Sequence, residues 1–406
     1  MGYTSRALKG ISWMGILRAS TRGITFLRIA ILARILTPSQ FGVFGVASLI
    51  LAFLEILTET GINVFLIQEK GDIKKYLSSA WIVSIIRGCL IALILVLSAS
   101  IVVNFFHSPE SYSVIILIAL VPFIRGFINP SIIKIQKEIE FQKEFYLRLT
   151  LFIVDAMVAI IVAFITKSAE SFAYGLIASA IIEVTLSFIF FKPFPRLSFE
   201  LEKVKLIIKR GWWVTLTGIF SYTAENGDNI FVGRMLNTSS LGIYQVAYKF
   251  STLPISEITN VVNKVVFPVY SRFSEDKDRL WKAFVKVFAT SSVLAVFLGA
   301  FIFIFAEQII SILLGSIWTE AVPIVKVLAF YGILRTIFGN FSPVFLAIKR
   351  QDIVAKMTFF RTGALLITIV PLVNMYGLIG AALSALISIL VEIPIVLYFS
   401  YKVFKK

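Results

Sequence analysis

Charged side chains inside otherwise apolar segments are the residues of this sequence with the clearest capacity for chemistry. Arg18 and Arg22 are four residues apart and so share one helix face, whereas Glu225 and Asp228 are three residues apart. A guanidinium stays charged and binds phosphate through two parallel hydrogen bonds, so grouped arginines suit an anionic ligand. We predict that six arginines bind substrate: Arg18, Arg22, Arg28, Arg87, Arg125 and Arg335.

Four carboxylates in the same apolar segments are predicted to act in gating or ion coupling: Glu225, Asp228, Asp155 and Glu183. Carboxylates inside a membrane mark proton or ion pathways, so coupling to Na⁺ or H⁺ is one interpretation of Asp155 and Glu183. The other is structural pairing, with Arg87 or with polar groups. Arg18 is close enough to a span end for its charge to reach a headgroup.

The composition explains why these charges need a special environment. Hydrophobic residues make up 58% of 406 positions, charged residues make up 15%, and the mean hydropathy is +0.91. Soluble domains are roughly 45–50% apolar and about 25% charged, so the chain is predicted to be a membrane protein. The net charge of +16 comes from basic residues in short gaps between apolar runs, which indicates contact with anionic membrane lipids rather than nucleic acid.

Twelve apolar runs have the roughly 20-residue length that a transmembrane helix needs. Of the 39 lysines and arginines, 27 fall in alternate gaps that include both termini, and three fall in the other gaps. This asymmetry predicts that both termini are cytoplasmic, in a multi-pass protein of the cytoplasmic (inner) membrane. The predicted spans are 11–35, 41–67, 77–104, 112–135, 146–166, 169–191, 206–235, 241–266, 283–305, 320–347, 354–375 and 377–400.

The chain repeats itself at half its length. Residues 33–47 match residues 233–247 at an offset of 200, including Arg34 with Arg234 and Gly42 with Gly242. We therefore predict an all-α fold of two six-helix lobes, residues 1–198 and 199–406, related by a pseudo-two-fold axis along the membrane normal. The offset also places Asp228 in the position of Arg28, so the two are predicted either to pair in one transport state or to pair within their own lobes.

Helix-breaking residues mark two of the predicted spans. Pro122, Gly126 and Pro130 interrupt the fourth span, and Gly339 and Pro343 interrupt the tenth. Because a broken membrane helix exposes backbone groups that must be satisfied by a cavity, both spans are predicted to border one.

Few residues point to a cofactor or to catalysis. The sequence has one His and one Cys, Cys89, which lies in an apolar run and is expected to be a small buried residue. No metal or other cofactor is predicted, and nothing resembles a nucleophile–base arrangement or a phosphate-binding glycine loop. The chain is therefore predicted not to be an enzyme.

Several segments resemble Wzx-type oligosaccharide flippases of the multidrug/oligosaccharidyl-lipid/polysaccharide exporter superfamily. The similarity covers nearly the whole chain. The resembling segments are 32–44 (LARILTPSQFGVF), 228–234 (DNIFVGR), 241–248 (LGIYQVAY), 266–272 (VFPVYSR) and 306–318, which ends in GSIW.

The resemblance implies alternating access and a cationic cavity, for which Arg22, Arg28 and Arg125 are the matching candidates. It also implies a cargo, an oligosaccharide on an undecaprenyl-type diphosphate, flipped to the outer leaflet for O-antigen, capsule or exopolysaccharide synthesis. A polysaccharide polymerase and a chain-length regulator are the expected protein partners. The alternatives are a cation-coupled drug exporter of the same superfamily and a membrane polysaccharide polymerase or ligase.

Overall fold

The computed structural model describes residues 3–59, 66, 74–138, 140–196 and 201–404, and these residues form helices joined by short connections. The all-α fold class is confirmed. The chain divides into two compact units, Met1–Tyr222 (unit 1) and Thr223–Lys406 (unit 2). The lobe boundary expected at residues 198/199 lies outside the described residues and stays a prediction.

Unit 1 holds eight helices and the start of a ninth among its described residues. A 3-10 helix, Pro130–Ile133, lies between α5 and α6. The helices are α1 (Tyr3–Ile35), α2 (Pro38–Leu57), α3 (Lys74–Phe106), α4 (Ser111–Ile118), α5 (Leu120–Arg125), α6 (Lys134–Lys137), α7 (Phe141–Thr166) and α8 (Glu170–Phe190).

Unit 2 begins within α9 and ends with a long helix that has a kink at Gly377. A second 3-10 helix, Ser316–Trp318, follows α12. The helices are α9 (Leu201–Met235), α10 (Thr238–Arg272), α11 (Lys277–Ile304), α12 (Ala306–Leu313), α13 (Ala321–Gly339), α14 (Phe341–Ala347) and α15 (Gln351–Phe404).

Seven helical segments of the described residues are long and apolar enough to cross a membrane. They belong to α2, α3, α7, α8, α11, the α13–α14 pair and α15. The predicted spans in α1, α9 and α10 coincide with long helices that carry more charged residues. Multiple spans are thus confirmed, whereas the number twelve stays a prediction.

Large apolar side chains are exposed along these helices. Ile165 of α7 is 77% exposed, Phe297 of α11 67% and Ile367 of α15 76%. Monomeric soluble proteins rarely expose contiguous apolar patches of more than a few hundred Å², so this surface is suited to contact with lipid tails. Cys89 is also exposed, on α3, so the expectation that it is buried was wrong. Its neighbours Ile86, Leu90 and Leu93 share that apolar surface.

The junction between the first two helices of unit 1 recurs at the α9–α10 junction. The Thr37 hydroxyl caps α2 by accepting a 3.4 Å hydrogen bond from the backbone N–H of Gln40. The Asn237 side chain caps α10 by accepting a 2.8 Å bond from the N–H of Ser240. The same positions are buried in both copies: Phe41, Val43, Val46 and Ala47, and Leu241, Ile243, Val246 and Ala247. The repeat thus has the predicted offset of 200, and the pseudo-two-fold axis stays a prediction.

The helix of the fourth predicted span is broken beside its prolines and glycine, as the sequence predicted. Helix α5 ends at Arg125, and the next helical turn begins at Pro130. Asn129, fully buried, spans the gap: its Oδ1 accepts from the Ser131 N–H at 3.0 Å, and its Nδ2 donates to the Phe191 carbonyl at 2.9 Å. The tenth predicted span is divided only at Asn340, between α13 and α14, and the φ of −63° and ψ of −19° at this residue stay helical.

Two helical segments of α15 meet at Gly377, whose φ of 56° and ψ of −132° are not helical. Glycine adopts a positive φ without the steric cost that a Cβ adds. Gly380 permits a tight return, because a Cβ there would lie within contact distance of the Leu372 carbonyl. The predicted gap between the last two spans, at residue 376, is therefore one residue from the observed break.

Candidate functional site: two charged cavities

Unit 1 contains a cavity of about 270 Å³ lined by three arginines and three glutamates. The broken fourth span borders it through Pro122, Gly126 and Pro130, as the helix breakers predicted. The charged residues come from different helices and are Arg87 (α3), Arg125 (α5), Arg148 (α7), Glu55 (α2), Glu144 (α7) and Glu183 (α8). Formal charges therefore cancel across the lining, so the cavity is not purely cationic.

Glu183 joins two of these arginines. Its Oε2 lies 3.2 Å from Arg125 Nε, and its Oε1 lies 3.4 Å from Arg148 Nη1. The Glu183 side chain is 8% exposed, whereas those of Arg125 and Arg148 are 37% and 45% exposed. One buried carboxylate thus positions two guanidinium groups that keep open faces, and the trio carries a net charge of +1.

Arg87 is fixed to the end of α2. Its Nε donates to the Thr58 hydroxyl at 3.2 Å, and its Nη2 donates to the Glu55 carbonyl and lies 3.5 Å from Glu59 Oε2. A cation at a helix C-terminus is stabilised by the unpaired carbonyls of the last turn. In this structure Arg87 pairs with the end of α2, whereas one interpretation of the sequence paired it with Asp155 or Glu183.

Arg28 and Asp155 form an ion pair, and neither residue lines this cavity. Arg28 Nη1 donates to Asp155 Oδ2 at 2.6 Å, and the guanidinium lies 5.4 Å from the centre of the Phe172 ring. Gly175 makes room for the pair, because a Cβ there would lie 2.6 Å from both Asp155 Oδ1 and its backbone oxygen. The side chains are only 15% and 11% exposed, so each charge depends on the other.

Arg18 and Arg22 lie on α1 and are partly buried. Neither lines the cavity of unit 1 or the cavity of unit 2 described below. The six arginines predicted to bind substrate are therefore not gathered in one place within the units: Arg87 and Arg125 share a cavity, Arg335 lines another, and Arg28 is paired elsewhere.

Unit 2 contains a cavity of about 520 Å³ with two arginines and two glutamates in its lining. Arg361 Nη1 lies 3.3 Å from Glu392 Oε2, and the Glu392 side chain is 5% exposed. Arg335 Nη1 donates to the hydroxyls of Tyr248 at 2.7 Å and Tyr331 at 3.2 Å. Glu225, the fourth charged residue, is exposed.

Asp228 is buried within unit 2 and does not line its cavity. Its Oδ2 accepts from the Tyr244 hydroxyl at 2.9 Å, and its Oδ1 accepts from the N–H and the side-chain amide of Asn229. Asp228 and Arg28 thus each have partners within their own unit in this structure, which is the second of the two pairings left open by the sequence.

Several residues that line the cavities were not among the predicted site residues: Arg148, Glu55 and Glu144 in unit 1, and Arg361, Glu392 and Tyr248 in unit 2. Arg148 is one of the basic residues that predict the membrane orientation, and Arg361 is close enough to a span end for its charge to reach a headgroup, so neither was distinguished as a cavity residue. A signal for both arginines was present in the repeat. The signal is the order of the spans and not the offset of 200. Arg125, Arg148 and Glu183 lie in the fourth, fifth and sixth predicted spans of the first half, and Arg335, Arg361 and Glu392 lie in those of the second half, at offsets of 210, 213 and 209.

No three metal-ligating side chains cluster in the described part of the chain. Asp155 and Glu183 are both engaged by arginine, and Asp155 Oδ1 has no hydrogen-bond partner within the described part of the chain. Ion coupling stays a prediction.

Known proteins with similar sequences take part in polysaccharide synthesis. The chain is 22% identical to the lipopolysaccharide biosynthesis protein WzxC of Escherichia coli K12, over 95% of this chain and 79% of that protein. It is 23% identical to the teichuronic acid biosynthesis protein TuaB of Bacillus subtilis 168, over 90% and 75%.

Solved transporters share the fold. The lipid II flippase MurJ in an inward closed conformation matches with a TM-score of 0.78 and 17% identity, over 96% of this chain and 88% of that chain. An inward-facing multidrug resistance transporter of the MATE family matches with a TM-score of 0.72 and 15% identity, over 94% of each chain.

The sequence profile of one family, described as "Polysaccharide biosynthesis protein", matches residues 31–323, which is more than half of the chain. The matched region includes the repeated α1–α2 and α9–α10 junctions and the whole lining of the unit 1 cavity. The chain belongs to this polysaccharide biosynthesis protein family.

Proposed function

We propose that the protein is a flippase that moves an undecaprenyl-diphosphate-linked oligosaccharide from the cytoplasmic to the outer leaflet for polysaccharide synthesis. The observation that carries the proposal is the group of three arginines in the unit 1 cavity, two of them held by the buried Glu183. Their open faces offer a diphosphate charge-assisted hydrogen bonds, and no reaction of the cargo is required.

A flippase has to bind its anionic cargo and release it again. Because Glu183 neutralises part of the arginine charge, an incoming phosphate competes with this carboxylate for Arg125 and Arg148. The counter-ion keeps the empty cavity from holding unpaired cations, and it returns to the arginines when the phosphate leaves.

The proposed arrangement in the membrane is twelve spans in two six-helix lobes with both termini in the cytoplasm. It rests on the 27 basic residues in the gaps on one side against three on the other. Rocking of the lobes would expose the cargo alternately to the two sides. A gradient of Na⁺ or H⁺ is one driving force in this proposal, and removal of the flipped product is another. A polymerase and a chain-length regulator would act on that product.

Export of cationic drugs is the second candidate, because the MATE transporter shares the fold. In the unit 1 cavity, the Arg125 and Arg148 side chains are 37% and 45% exposed, whereas their partner Glu183 is 8% exposed, so the accessible part of this group is cationic. A diphosphate is therefore the better match to the unit 1 cavity than a cation.

Deletion of the gene tests the proposal. We expect loss of surface polysaccharide and accumulation of the lipid-linked precursor, and restoration by the wild-type gene. Arg125→Ala removes a charge-assisted contact of about 1.5–3 kcal/mol, so we expect roughly 10–100-fold weaker binding of undecaprenyl diphosphate to the purified protein. The matched control is Arg279→Ala, which removes an exposed arginine paired with Asp276 at 3.1 Å outside the cavity. Normal polysaccharide with altered drug susceptibility would favour the exporter instead.

A further inference from the structure

The two cavities resemble each other in charge and differ in their neutral lining. Each pairs arginines with an equal number of glutamates. Around these charges, the described lining of the unit 1 cavity is mainly isoleucine, leucine and proline, and among these described residues Ser84 is the one neutral residue with a polar side chain. The unit 2 cavity has six neutral polar side chains: Asn226, Tyr248, Thr252, Ser256, Thr336 and Ser342.

Several of these hydroxyls are oriented as acceptors. Thr252 Oγ1 donates to the Tyr248 carbonyl at 2.6 Å, Ser256 Oγ to the Leu253 carbonyl at 3.2 Å, and Thr336 Oγ1 to the Ile255 carbonyl at 3.4 Å. A hydroxyl has one proton and two lone pairs, so a hydroxyl that donates its proton to a backbone carbonyl can still accept a hydrogen bond. The exposed carboxylate of Glu225 adds further acceptors. The lining therefore matches a ligand with many O–H donors.

Both arginines that line the unit 2 cavity have side-chain partners. Arg361 is paired with Glu392, and Arg335 is bonded to two tyrosine hydroxyls. Tyr248 contributes an aromatic ring to the lining, and the ring of Tyr331, which is not part of the lining, lies behind it with the two ring centres 6.3 Å apart. A volume of about 520 Å³ falls within the roughly 300–1,000 Å³ range of small-molecule sites.

We propose that the unit 2 cavity binds an uncharged sugar of the glycan headgroup, through the hydroxyls and amide of its lining. A sugar has many hydroxyl groups and no charge, which is what acceptor-rich, charge-balanced walls recognise. This inference rests on the proposed function, and it adds a sugar-binding subsite to a protein whose unit 1 cavity suits the diphosphate.

The test compares two probes on the purified full-length protein. One is undecaprenyl diphosphate, and the other is the same lipid bearing a single glucose, galactose or N-acetylglucosamine, each assayed in parallel. We expect the wild type to bind at least one sugar-bearing probe tenfold or more tightly than the bare lipid. The double variant Thr252→Val with Ser256→Ala should reduce this gain to less than threefold and leave the bare-lipid Kd within twofold.

A matched control variant separates the cavity from general effects of removing hydroxyls. The control variant is Thr290→Val with Ser311→Ala, which removes a threonine and a serine that do not line the cavity. Their hydroxyls donate to the Lys286 and Gln308 carbonyls, four and three residues earlier, as those of Thr252 and Ser256 do to Tyr248 and Leu253. It should keep the full sugar gain. Thermal unfolding of each variant verifies that it is folded.

The outcomes distinguish the two proposals. If the wild type binds neither probe, the proposed function is refuted. If it binds all probes equally, or if the cavity variant keeps the full gain, the sugar subsite alone is refuted. If the cavity variant weakens binding of the bare lipid as much as binding of the sugar-bearing lipid, the cavity contacts the diphosphate and the assignment to sugar is wrong.

Discussion

The Arg28–Asp155 ion pair gives a quantitative test of how the buried charges are partnered. The 2.6 Å contact joins side chains that are 15% and 11% exposed, so removal of one partner leaves a largely buried charge without its counter-ion. We expect Asp155→Ala to lower the free energy of unfolding by about 3 kcal/mol, the lower end of the 3–5 kcal/mol typical of a broken buried pair. The remaining exposure of Arg28 is the reason for choosing the lower end.

A double-mutant cycle measures the interaction itself. Contacting residues couple by about 0.5–3 kcal/mol, so Arg28→Ala and Asp155→Ala should be non-additive by roughly 2 kcal/mol. Arg28→Ala and Asp228→Ala should instead be additive within about 0.5 kcal/mol, because Asp228 is bonded to Tyr244 and Asn229 within its own unit.

The assay is equilibrium unfolding of the purified protein in mixed micelles of SDS and a mild detergent, followed by circular dichroism. Asp155→Asn is the companion variant, since it keeps the shape of the side chain and removes only its charge. Coupling below about 0.5 kcal/mol between Arg28 and Asp155 would refute the partnership. Coupling above about 1 kcal/mol between Arg28 and Asp228 would instead support the pairing in one transport state that the sequence repeat left open.

Two further predictions concern the broken fourth span. Gly88→Val should destabilise the protein by about 1–3 kcal/mol and abolish polysaccharide export, because a Cβ at residue 88 collides with the Pro122 backbone carbonyl beside the cavity. Wild-type stability together with wild-type export would contradict this prediction. Asn129→Leu should cost about 2–4 kcal/mol in the same unfolding assay, because it leaves the Phe191 carbonyl and the Ser131 N–H without their partner; a cost below about 1 kcal/mol would show that the amide is dispensable.

Features that depend on local sequence were predictable. The α1–α2 and α9–α10 junctions follow from capping residues at positions 37 and 237, which act on backbone groups three residues away. The break in the fourth span follows from proline and glycine, whose effect on a helix requires no knowledge of its neighbours. The positions of these junctions and of this break therefore followed from the sequence within a few residues, whereas the second predicted span continued to residue 67 and α2 ends at Leu57.

The partners of the charges were not predictable in the same way. Arg28 and Asp155 were both singled out by the cost of a charge in an apolar segment, yet they are 127 residues apart in sequence. Their pairing depends on how α1 and α7 are rotated against each other, and hydropathy has no information on that rotation. The same limit explains Arg148 and Arg361, because distance from a span end does not reveal which side chain faces a cavity.

Comparison of the two halves shows which charged contacts are common to the two cavities and which differ. Each half places arginines in its fourth and fifth predicted spans and a glutamate in its sixth, and in each the glutamate is nearly buried and paired with the fifth-span arginine. The fourth-span arginines differ, since Arg125 lies against Glu183 whereas Arg335 is bonded to Tyr248 and Tyr331. The carboxylate–arginine pair between the fifth and sixth spans is therefore the common structural element, and the fourth-span arginine with its neutral neighbours is where the binding properties of the two units diverge. It follows that exchanging neutral lining residues should alter what each cavity binds with little effect on folding. Loss of Glu183 or Glu392 should instead affect both ligand binding and folding.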